Sequence, residues 1–177
     1  LFRSAVASHD TESAVVAVPA SSSSFAYLVC GTWSLLGTEM KEPLLHPDVL
    51  KEDFSNEGGA FDTFQLLKNI MGLWILQECK RQWDQQGLDY GYGDLVRLAE
   101  EEEAFRSFIQ PDDLRFMNPA DMISEIQTYC RETGQPVPES TGAMVRCILE
   151  SLAFRYREVL ESMERLTGTR YEGLHMV

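Results

Sequence analysis

The chain has 177 residues, of which 44% are hydrophobic, and a formal net charge of −13 at pH 7. A chain of this length buries roughly 70% of its unfolded surface, so one cooperative core forms without metals or disulfides. The charge argues against nucleic acid and anionic membranes as partners, because their phosphates are repelled over a Debye length of about 8 Å. A phosphorylated ligand must therefore be held locally, by backbone amides, hydroxyl groups and a bound cation.

The beginning of the chain predicts a strand followed by a short helix. Residues 4–8 form an apolar run that predicts a buried strand. Asp10 or Thr11 then caps a helix over 13–18, and Pro19 ends it because proline cannot continue the hydrogen-bond ladder. The chain begins without Met, directly at this apolar run, so we expect that further residues precede it.

A hairpin with a polar tip is predicted next. The β-prone runs 25–30 and 33–37 are separated by Gly31 and Thr32, a spacing typical of two paired strands. Residues 41–59 contain many Pro, Asp, Asn and Gly residues and predict a loop that ends in a turn of sequence Asn-Glu-Gly-Gly.

From Thr63 onward the hydrophobic period becomes helical. One central helix, apolar nearly all round, is predicted from Phe64, Leu67, Ile70, Met71, Trp74, Ile75, Leu76, Cys79 and Trp83. Asp94 is predicted to cap a second helix, with the acidic residues 100–103 on its solvated face.

Two more helices and a strand are predicted in the last third of the chain. Asn118 as N-cap and Pro119 as first residue open a helix that Gly134 closes. The longest predicted helix spans 140–167, about 40 Å at 1.5 Å per residue, and residues 174–177 return to strand. The order of strands and helices predicts an α/β domain with a large helical part.

Cysteine usage predicts a reducing compartment. The four cysteines have neither C-x-x-C spacing nor the density of a disulfide framework; they are Cys30, Cys79, Cys130 and Cys147. Cys130 and Cys147 approach each other only if their helices pack side by side, and we expect no disulfide between them. No apolar run has the length of a membrane span and no signal peptide precedes the first predicted strand, so we expect a cytoplasmic protein.

Two short segments carry side chains suited to phosphoryl transfer. Residues 5–11 are a small apolar run that ends in the pair His9 and Asp10, and residues 31–34 combine a glycine with two hydroxyl donors. Hydroxyl groups and unhindered backbone are what holds phosphate oxygens in proteins. Together the segments predict half of a phosphoryl-transfer site, whereas the alternatives are a helix cap at Asp10 and an ordinary hairpin turn at 31–34.

Five ordered blocks stand out along the chain: AVASHDTESAVVAVPA, CGTWSLLG, NEGGAFDTFQLLKNIMGLWILQECKRQW, FMNPADMISEIQTYCRETGQPVPES and GLHMV. They resemble the FGGY family of carbohydrate kinases and, within it, the rhamnulokinase group. The likeness covers almost the whole chain. Two departures are Cys30, where the family usually has a small Ser, and residues 1–4, which match the usual valine-rich strand poorly.

The resemblance implies an actin-like, ribonuclease-H-like ATPase fold, built in the family from two domains around a cleft for sugar and ATP. Residues 1–177 would be a single C-terminal domain, with sheet parts at about 4–60 and 172–177 and a helical part at about 63–168. The family's N-terminal domain, with its phosphate loop, would be missing, as would the Gly-rich segment that follows the last strand.

The resemblance also assigns the sugar site. A sugar hydroxyl is a weak nucleophile at neutral pH, so its proton must pass to a base, an effect worth roughly 10²–10⁴ in rate. Asp10 is implied as this base, and His9 and Thr11 are implied to hydrogen-bond the sugar. The alternative for His9 is a structural neighbour of the strand end.

For the nucleotide, the resemblance implies that Gly31 leaves room for backbone approach and that Thr32 donates to a β- or γ-phosphate. Asn69 is implied to face the sugar and Gln77 the nucleotide. On one helix these two residues would differ by about 80° around the axis and about 12 Å along it, and so line one wall of a cleft. The alternative is that Asn69 caps the helix and Gln77 faces solvent.

The resulting prediction is ATP-dependent phosphorylation of L-rhamnulose at its 1-hydroxyl, with this chain alone an inactive fragment. ATP and Mg²⁺ are the expected cofactors, and Mg²⁺ is expected to be held chiefly by ATP oxygens, because no His, Cys, Asp and Glu cluster has metal-ligand spacing. The alternatives are a kinase for fuculose or xylulose, and a non-catalytic acidic module that docks a protein through the loop at 90–92 and the acids at 100–103.

Overall fold

The structure is a computed structural model that describes residues 10–20, 22 and 24–177, and of Asp10 only the backbone. The strand predicted at 4–8 therefore lies outside the described residues. The chain divides into two compact units. The first unit comprises Leu1–Cys30, Ser34–Ile70 and Glu158–Val177, and the second comprises Gly31–Trp33 and Met71–Arg157.

A five-stranded sheet is the framework of the first unit. In chain order its strands are β1 Phe25–Cys30, β2 Trp33–Met40, β3 Ser55–Gly58, β4 Phe64–Met71 and β5 Gly173–Met176. They lie in the order β3, β4, β2, β1, β5, with β1 antiparallel to β2 and parallel to β5. The short helices α1 Asp10–Val16 and α2 Pro47–Lys51 belong to the same unit.

The core of the first unit is formed by buried apolar side chains of the sheet, of the short helices, of the residue before β3 and of the last helix. They are Val15, Ala26, Tyr27, Leu28, Leu36, Val49, Phe54, Leu66, Leu67, Ile70, Val159 and Met163. Gly37 lies opposite Tyr27 in the β1–β2 register. A Cβ at Gly37 would lie 2.5 Å from the Tyr27 hydroxyl oxygen and 2.8 Å from the carbonyl oxygen of Leu66, so only glycine fits here.

The predicted hairpin and the returning last strand are confirmed. β1 and β2 pair from Tyr27 with Gly37 to Cys30 with Ser34, and only two residues join them. β5 pairs with the other side of β1, and His175 packs edge-on against Phe25 with ring centroids 5.7 Å apart.

The central helix predicted from residue 64 is wrong in its first part. Residues 64–71 form strand β4, and helix α3, Trp74–Gln85, begins after Gly72 and Leu73. β4 lies between β3 and β2, and its four consecutive residues 65–68 are all buried. A strand buried on both faces has no polar alternation, so periodicity does not distinguish it from a buried helix. The helical part therefore begins at Trp74 rather than near 63.

The loop predicted at 41–59 contains helix α2 and strand β3. Asn56, predicted in a turn, lies in β3, and its side-chain amide bonds both backbone groups of Leu44. It accepts from the Leu44 N–H at 2.8 Å and donates to the Leu44 carbonyl at 3.1 Å. The turn falls later, at Phe61 and Asp62, whose φ angles are 56° and 60°.

Helices build the second unit. They are α3, α4 Tyr92–Glu100, α5 Met122–Glu132 and the part of α6, Thr141–Thr167, up to Arg157, with a 3₁₀ turn at Leu114–Phe116. Their apolar faces enclose one core, formed by Met71, Ile75, Leu76, Cys79, Trp83, Leu95, Ala99, Ile109, Phe116, Met122, Ile126, Cys130, Met144, Val145, Cys147, Ile148 and Leu152. The long last helix is confirmed. Among the described residues, no helix combines the length and apolar content that crossing a bilayer requires.

Two predicted helix starts are wrong. The N-cap of α4 is Gly91, and Asp94 acts from inside the helix by accepting from the Gly91 N–H at 3.0 Å. α5 begins after Asp121 rather than at Asn118, because the Asp121 carboxylate accepts from the Ser124 N–H at 2.9 Å. Both starts still use an aspartate, as the preference of this residue for helix N-termini predicts.

No disulfide links the four cysteines, and two of them are adjacent. Cys130 on α5 and Cys147 on α6 are buried and hydrogen-bonded to each other. The bond from Cys147 lowers the pKa of Cys130, whereas the same bond and burial raise the pKa of Cys147. The side-by-side packing of these two helices thus brings the two thiols together without a disulfide.

Candidate active site

The tip of the β1–β2 hairpin is bound to the start of α3 by backbone hydrogen bonds. The Leu73 N–H donates to the Gly31 carbonyl at 2.9 Å, and the Trp74 N–H donates to the Thr32 carbonyl at 3.0 Å. Amides at a helix start have no partner within the helix, so the tip supplies their acceptors. A Cβ at Gly31 would lie 3.2 Å from the carbonyl oxygen of Trp33, which favours glycine at this position.

Thr32 and Gln77, the two side chains predicted to contact ATP, are adjacent in the second unit. The Thr32 hydroxyl donates to the Gln77 side-chain carbonyl at 3.1 Å. Thr32 is exposed and Gln77, one turn into α3, is half-buried. A hydroxyl and a side-chain amide together offer up to three donors. The pair is therefore suited to holding the oxygens of a phosphate.

Three of the residues predicted to bind the sugar are consecutive in sequence at the start of α1. His9 lies outside the described residues, and Asp10 is the first residue of the helix. Thr11 follows within the first turn, and its side chain is 6% exposed. Contacts of these three residues with a sugar stay predictions.

Glu12, which sequence reasoning missed, is a buried carboxylate on α1. Its side chain is 6% exposed and accepts hydrogen bonds from the Ala60 N–H and the Gln65 side-chain amide. Gln65 in turn accepts from the Tyr27 hydroxyl at 2.7 Å. A signal was present in the sequence, because Glu12 lies three residues before Val15 and thus on the buried face of a helix.

Burial holds the Tyr27 hydroxyl in its protonated, donating form. Desolvation raises the pKa of Tyr27 well above its usual value, and the negative charge of Glu12 raises it further. The direction of donation is therefore fixed from Tyr27 to Gln65 to Glu12, and the carboxylate is the final acceptor. We call these three side chains the Glu12 chain.

Asn69 and Gln77 do not share a helix. Asn69 lies on β4 and Gln77 on α3, so the helical offset predicted between them is wrong. Asn69 is exposed between the buried residues Lys68 and Ile70, which leaves its amide accessible to a ligand. The described residues that are predicted to bind the sugar belong to the first unit, and those predicted to bind the nucleotide belong to the second.

Neither a metal-ligand cluster of the described residues nor the cavity of the second unit adds to these residues. The described part of the chain contains no group of three or more His, Cys, Asp or Glu side chains that could hold a metal ion. A cavity of about 300 Å³ in the second unit is lined by none of the predicted site residues. Its two arginines are each paired at 2.8 Å, Arg106 with Glu103 and Arg146 with Glu150, so it offers a phosphate little positive charge.

Comparison with known proteins identifies the domain. Residues 26–177 match the FGGY family of carbohydrate kinases, C-terminal domain. The chain is 51% identical over 173 residues to the rhamnulokinase of Bacteroides thetaiotaomicron, a match that covers 98% of this chain and 35% of that protein. It is 46% identical over 174 residues to the rhamnulokinase of Enterococcus faecalis, covering 97% and 35%. The chain thus spans about a third of the length of the curated relatives it matches.

A solved structure shows the fold. The xylulose kinase from Rhodospirillum rubrum has a TM-score of 0.61 to this chain at 12% identity, with 89% of this chain and 30% of that chain covered. At this identity the likeness is evidence for the fold alone, and it confirms the predicted actin-like, ribonuclease-H-like α/β class. With the family match over most of its length, the chain belongs to the FGGY family of carbohydrate kinases.

Proposed function

We propose that this chain is the C-terminal domain of an ATP-dependent kinase that transfers the γ-phosphoryl group of ATP to the 1-hydroxyl of L-rhamnulose. The observation that carries the proposal is the 51% identity to a rhamnulokinase along nearly the whole chain. Because the chain covers about a third of that relative, we assign the rest of both pockets to an N-terminal domain outside it. The chain alone is then inactive.

Asp10 is the proposed base. It accepts the proton of the 1-hydroxyl as that oxygen attacks the γ-phosphorus, and the phosphorus–oxygen bond to ADP breaks. His9 and Thr11, next to it in the chain, and Asn69, exposed on β4, orient the sugar hydroxyls. A placed base contributes roughly 10²–10⁴ in rate, and fixed orientation contributes further because it replaces a bimolecular encounter.

Gly31, Thr32 and Gln77 are the proposed phosphate contacts. The adjacency of the Thr32 hydroxyl and the Gln77 amide allows both to donate to oxygens of the β- and γ-phosphates, where negative charge develops in the transition state. Gly31 lets a phosphate approach the backbone. The net charge of −13 gives ATP no long-range attraction, and Mg²⁺ carried by the ATP oxygens would supply the remaining charge compensation.

We assign the reaction to the cytoplasm and expect neither a nucleic-acid nor a membrane partner. Four cysteines without a disulfide support a reducing compartment. The acidic charge supports the absence of polyanionic partners.

The sugar is tested by ADP release from the complete enzyme with L-rhamnulose, fuculose and xylulose at matched concentrations. We expect kcat/KM to be at least about 10-fold higher for L-rhamnulose, since one differing group in a pocket is worth 10–200-fold. Mass spectrometry of the product locates the phosphate. A higher kcat/KM with another ketose reassigns the substrate.

If the complete enzyme released no ADP in response to a ketose, the kinase assignment would be overturned, and the alternative of an acidic protein-binding module would be favoured. The chain of 177 residues, assayed alone under the same conditions, should release no ADP in response to sugar. Sugar-dependent release by the chain alone contradicts the assignment of half of each pocket to another domain.

A further inference from the structure

Glu12 is the most deeply placed carboxylate near the proposed base. It is almost fully buried, and a buried charge is tolerated only when hydrogen bonds replace its hydration. Here two donors do so, the Ala60 N–H and the Gln65 amide. The carboxylate therefore forms specific bonds to two separate segments of the first unit.

These two segments belong to different parts of the sheet region. Ala60 lies in the turn between β3 and β4, where the backbone is constrained by the left-handed φ angles of Phe61 and Asp62. Gln65 lies on β4 and is itself fixed by the Tyr27 hydroxyl of β1 at 2.7 Å. A side chain of α1 is thereby tied to the turn, to β4 and, through Gln65, to β1.

α1 depends on such ties because it is short. It has 7 residues, and an isolated helix of this length is unstable in water. Its buried apolar side chains include Val15 near its C-terminal end, and Glu12 is a buried side chain of its first turn that hydrogen-bonds to the turn and to β4. The position of Asp10, two residues before Glu12, follows the position of this turn.

We infer that Glu12 is a positioning residue, which fixes the first turn of α1 and so places Asp10 for proton transfer. The inference rests on the proposed role of Asp10 in the kinase reaction. Glu12 itself contacts neither sugar nor ATP in this account. Its removal should lower kcat and leave KM for ATP unchanged, because the nucleotide contacts belong to the second unit.

Glu12→Ala in the complete enzyme is compared with Val15→Ala, a buried truncation on the same helix without polar partners. We expect Glu12→Ala to lower kcat about 100-fold, the order of loss that a misplacement of about 1 Å produces. Val15→Ala should lower the unfolding temperature with kcat within about 3-fold of wild type. Equal kcat losses in the two variants would mean general destabilisation and would overturn the inference.

A swap of the two side chains gives the sharper test. Gln65→Glu alone places a second carboxylate against Glu12, and like charges at this distance repel, so kcat should fall at least as far as in Glu12→Ala. In the double variant Glu12→Gln with Gln65→Glu, the amide at position 12 accepts from Ala60 and donates to the carboxylate at position 65. That carboxylate still accepts from Tyr27, so every group is again satisfied, and kcat should return to within about 3-fold of wild type.

Hydrogen exchange separates failure of this inference from failure of the proposed function. Backbone amides of 11–16 should exchange at least about 10-fold faster in Glu12→Ala than in wild type, and at the wild-type rate in the swapped variant. Unchanged exchange overturns the inference even if the enzyme is a kinase. Faster exchange with unchanged kcat overturns the positioning role of Glu12. A wild-type enzyme with no sugar kinase activity overturns the proposed function, and with it the effect of Glu12 on catalysis.

Discussion

The hairpin tip in the second unit and the start of α1 in the first unit are held by different kinds of hydrogen bond. At the tip, two backbone carbonyls accept from two backbone amides at the start of α3, at 2.9 and 3.0 Å. At α1, the buried tie is a run of side chains from Glu12 through Gln65 to Tyr27. Backbone bonds survive side-chain substitution, whereas side-chain bonds do not.

This difference separates activity from stability. At the tip, the exposed Thr32 hydroxyl takes no part in the two backbone hydrogen bonds. Its removal should therefore change catalysis and leave stability unchanged. In the Glu12 chain the same buried groups support both folding and, in our inference, the placement of Asp10. Substitutions there should therefore change both.

Asp10→Asn in the complete enzyme is the largest expected effect. It removes the proposed base and keeps the size of the side chain, so we expect kcat to fall by roughly 10²–10⁴ with ATP affinity retained. Steady-state ADP release and ATP titration measure the two quantities. Asp62→Asn, at an exposed position whose left-handed φ asparagine also adopts, is the control and should keep wild-type kcat. If Asp10→Asn kept the wild-type kcat, Asp10 would not be the base.

Gly37→Ala should be the most damaging change to stability. The added Cβ would lie 2.5 Å from the Tyr27 hydroxyl oxygen and 2.8 Å from the Leu66 carbonyl oxygen. The unfolding free energy should therefore fall by about 3 kcal/mol, or the variant should not fold at all. Gly58→Ala, where a Cβ meets nothing within 4 Å, is the matched control in the same sheet. Chemical denaturation measures both, and equal stability of the two variants would contradict the packing described here.

Thr32→Val removes the hydroxyl and keeps the shape. Loss of a hydrogen bond to a charged phosphate is worth about 1.5–3 kcal/mol, so kcat/KM for ATP should fall about 10- to 100-fold. The unfolding free energy should stay within about 0.5 kcal/mol of wild type, since backbone groups hold the tip. Thr169→Val, also exposed, controls for the substitution. A drop in stability without a drop in kcat/KM would show that Thr32 supports the fold and does not bind ATP.

Tyr27→Phe removes the first donor of the Glu12 chain. The Gln65 carbonyl would lose its buried partner, at a cost of about 1–2 kcal/mol in unfolding free energy. Tyr92→Phe, at an exposed tyrosine, should be neutral in the same denaturation measurement. An unchanged unfolding free energy in Tyr27→Phe would show that the Glu12 chain contributes little to stability.

Arg165→Met should have the smallest effect, and one that depends on pH. The hydrogen bond from Arg165 lowers the pKa of Glu52 from its ordinary value of 4.5, and the two side chains lie 2.8 Å apart. A lowered folded-state pKa adds stability above 4.5 that is lost as the pH falls through the folded-state pKa. Wild type should therefore be slightly more stable than Arg165→Met at pH 7, and equally stable in strong acid. Arg170→Met, an exposed arginine, should show no such pH dependence.

The elements marked by local signals were predictable from the sequence. The two-residue tip between Cys30 and Trp33 specified the hairpin, and the long apolar stripe ending at Gly168 specified α6. β4 was not predictable in the same way, because burial on both faces removes the alternation that identifies a strand. The same lack of alternation makes Asn69 look like a residue of the helix that carries Gln77.

The side-chain pairings depended on tertiary structure. The contact between Thr32 and Gln77 spans 45 positions of sequence. Before the structure, only the family resemblance links the two residues, because it assigns both to the nucleotide. Glu12 and Gln65 are 53 positions apart, and neither residue type alone indicates that the other is its partner. Sequence periodicity places a residue on a face, but the partner across that face is set by the packing of the sheet.

The most direct test of the kinase assignment is a structure of the complete enzyme with L-rhamnulose and a non-hydrolysable ATP analogue. We expect the Thr32 hydroxyl to lie within about 3 Å of a phosphate oxygen and the Asp10 carboxylate to lie within about 3 Å of the 1-hydroxyl, the range of hydrogen bonding. A complex in which either side chain contacts neither ligand would contradict it.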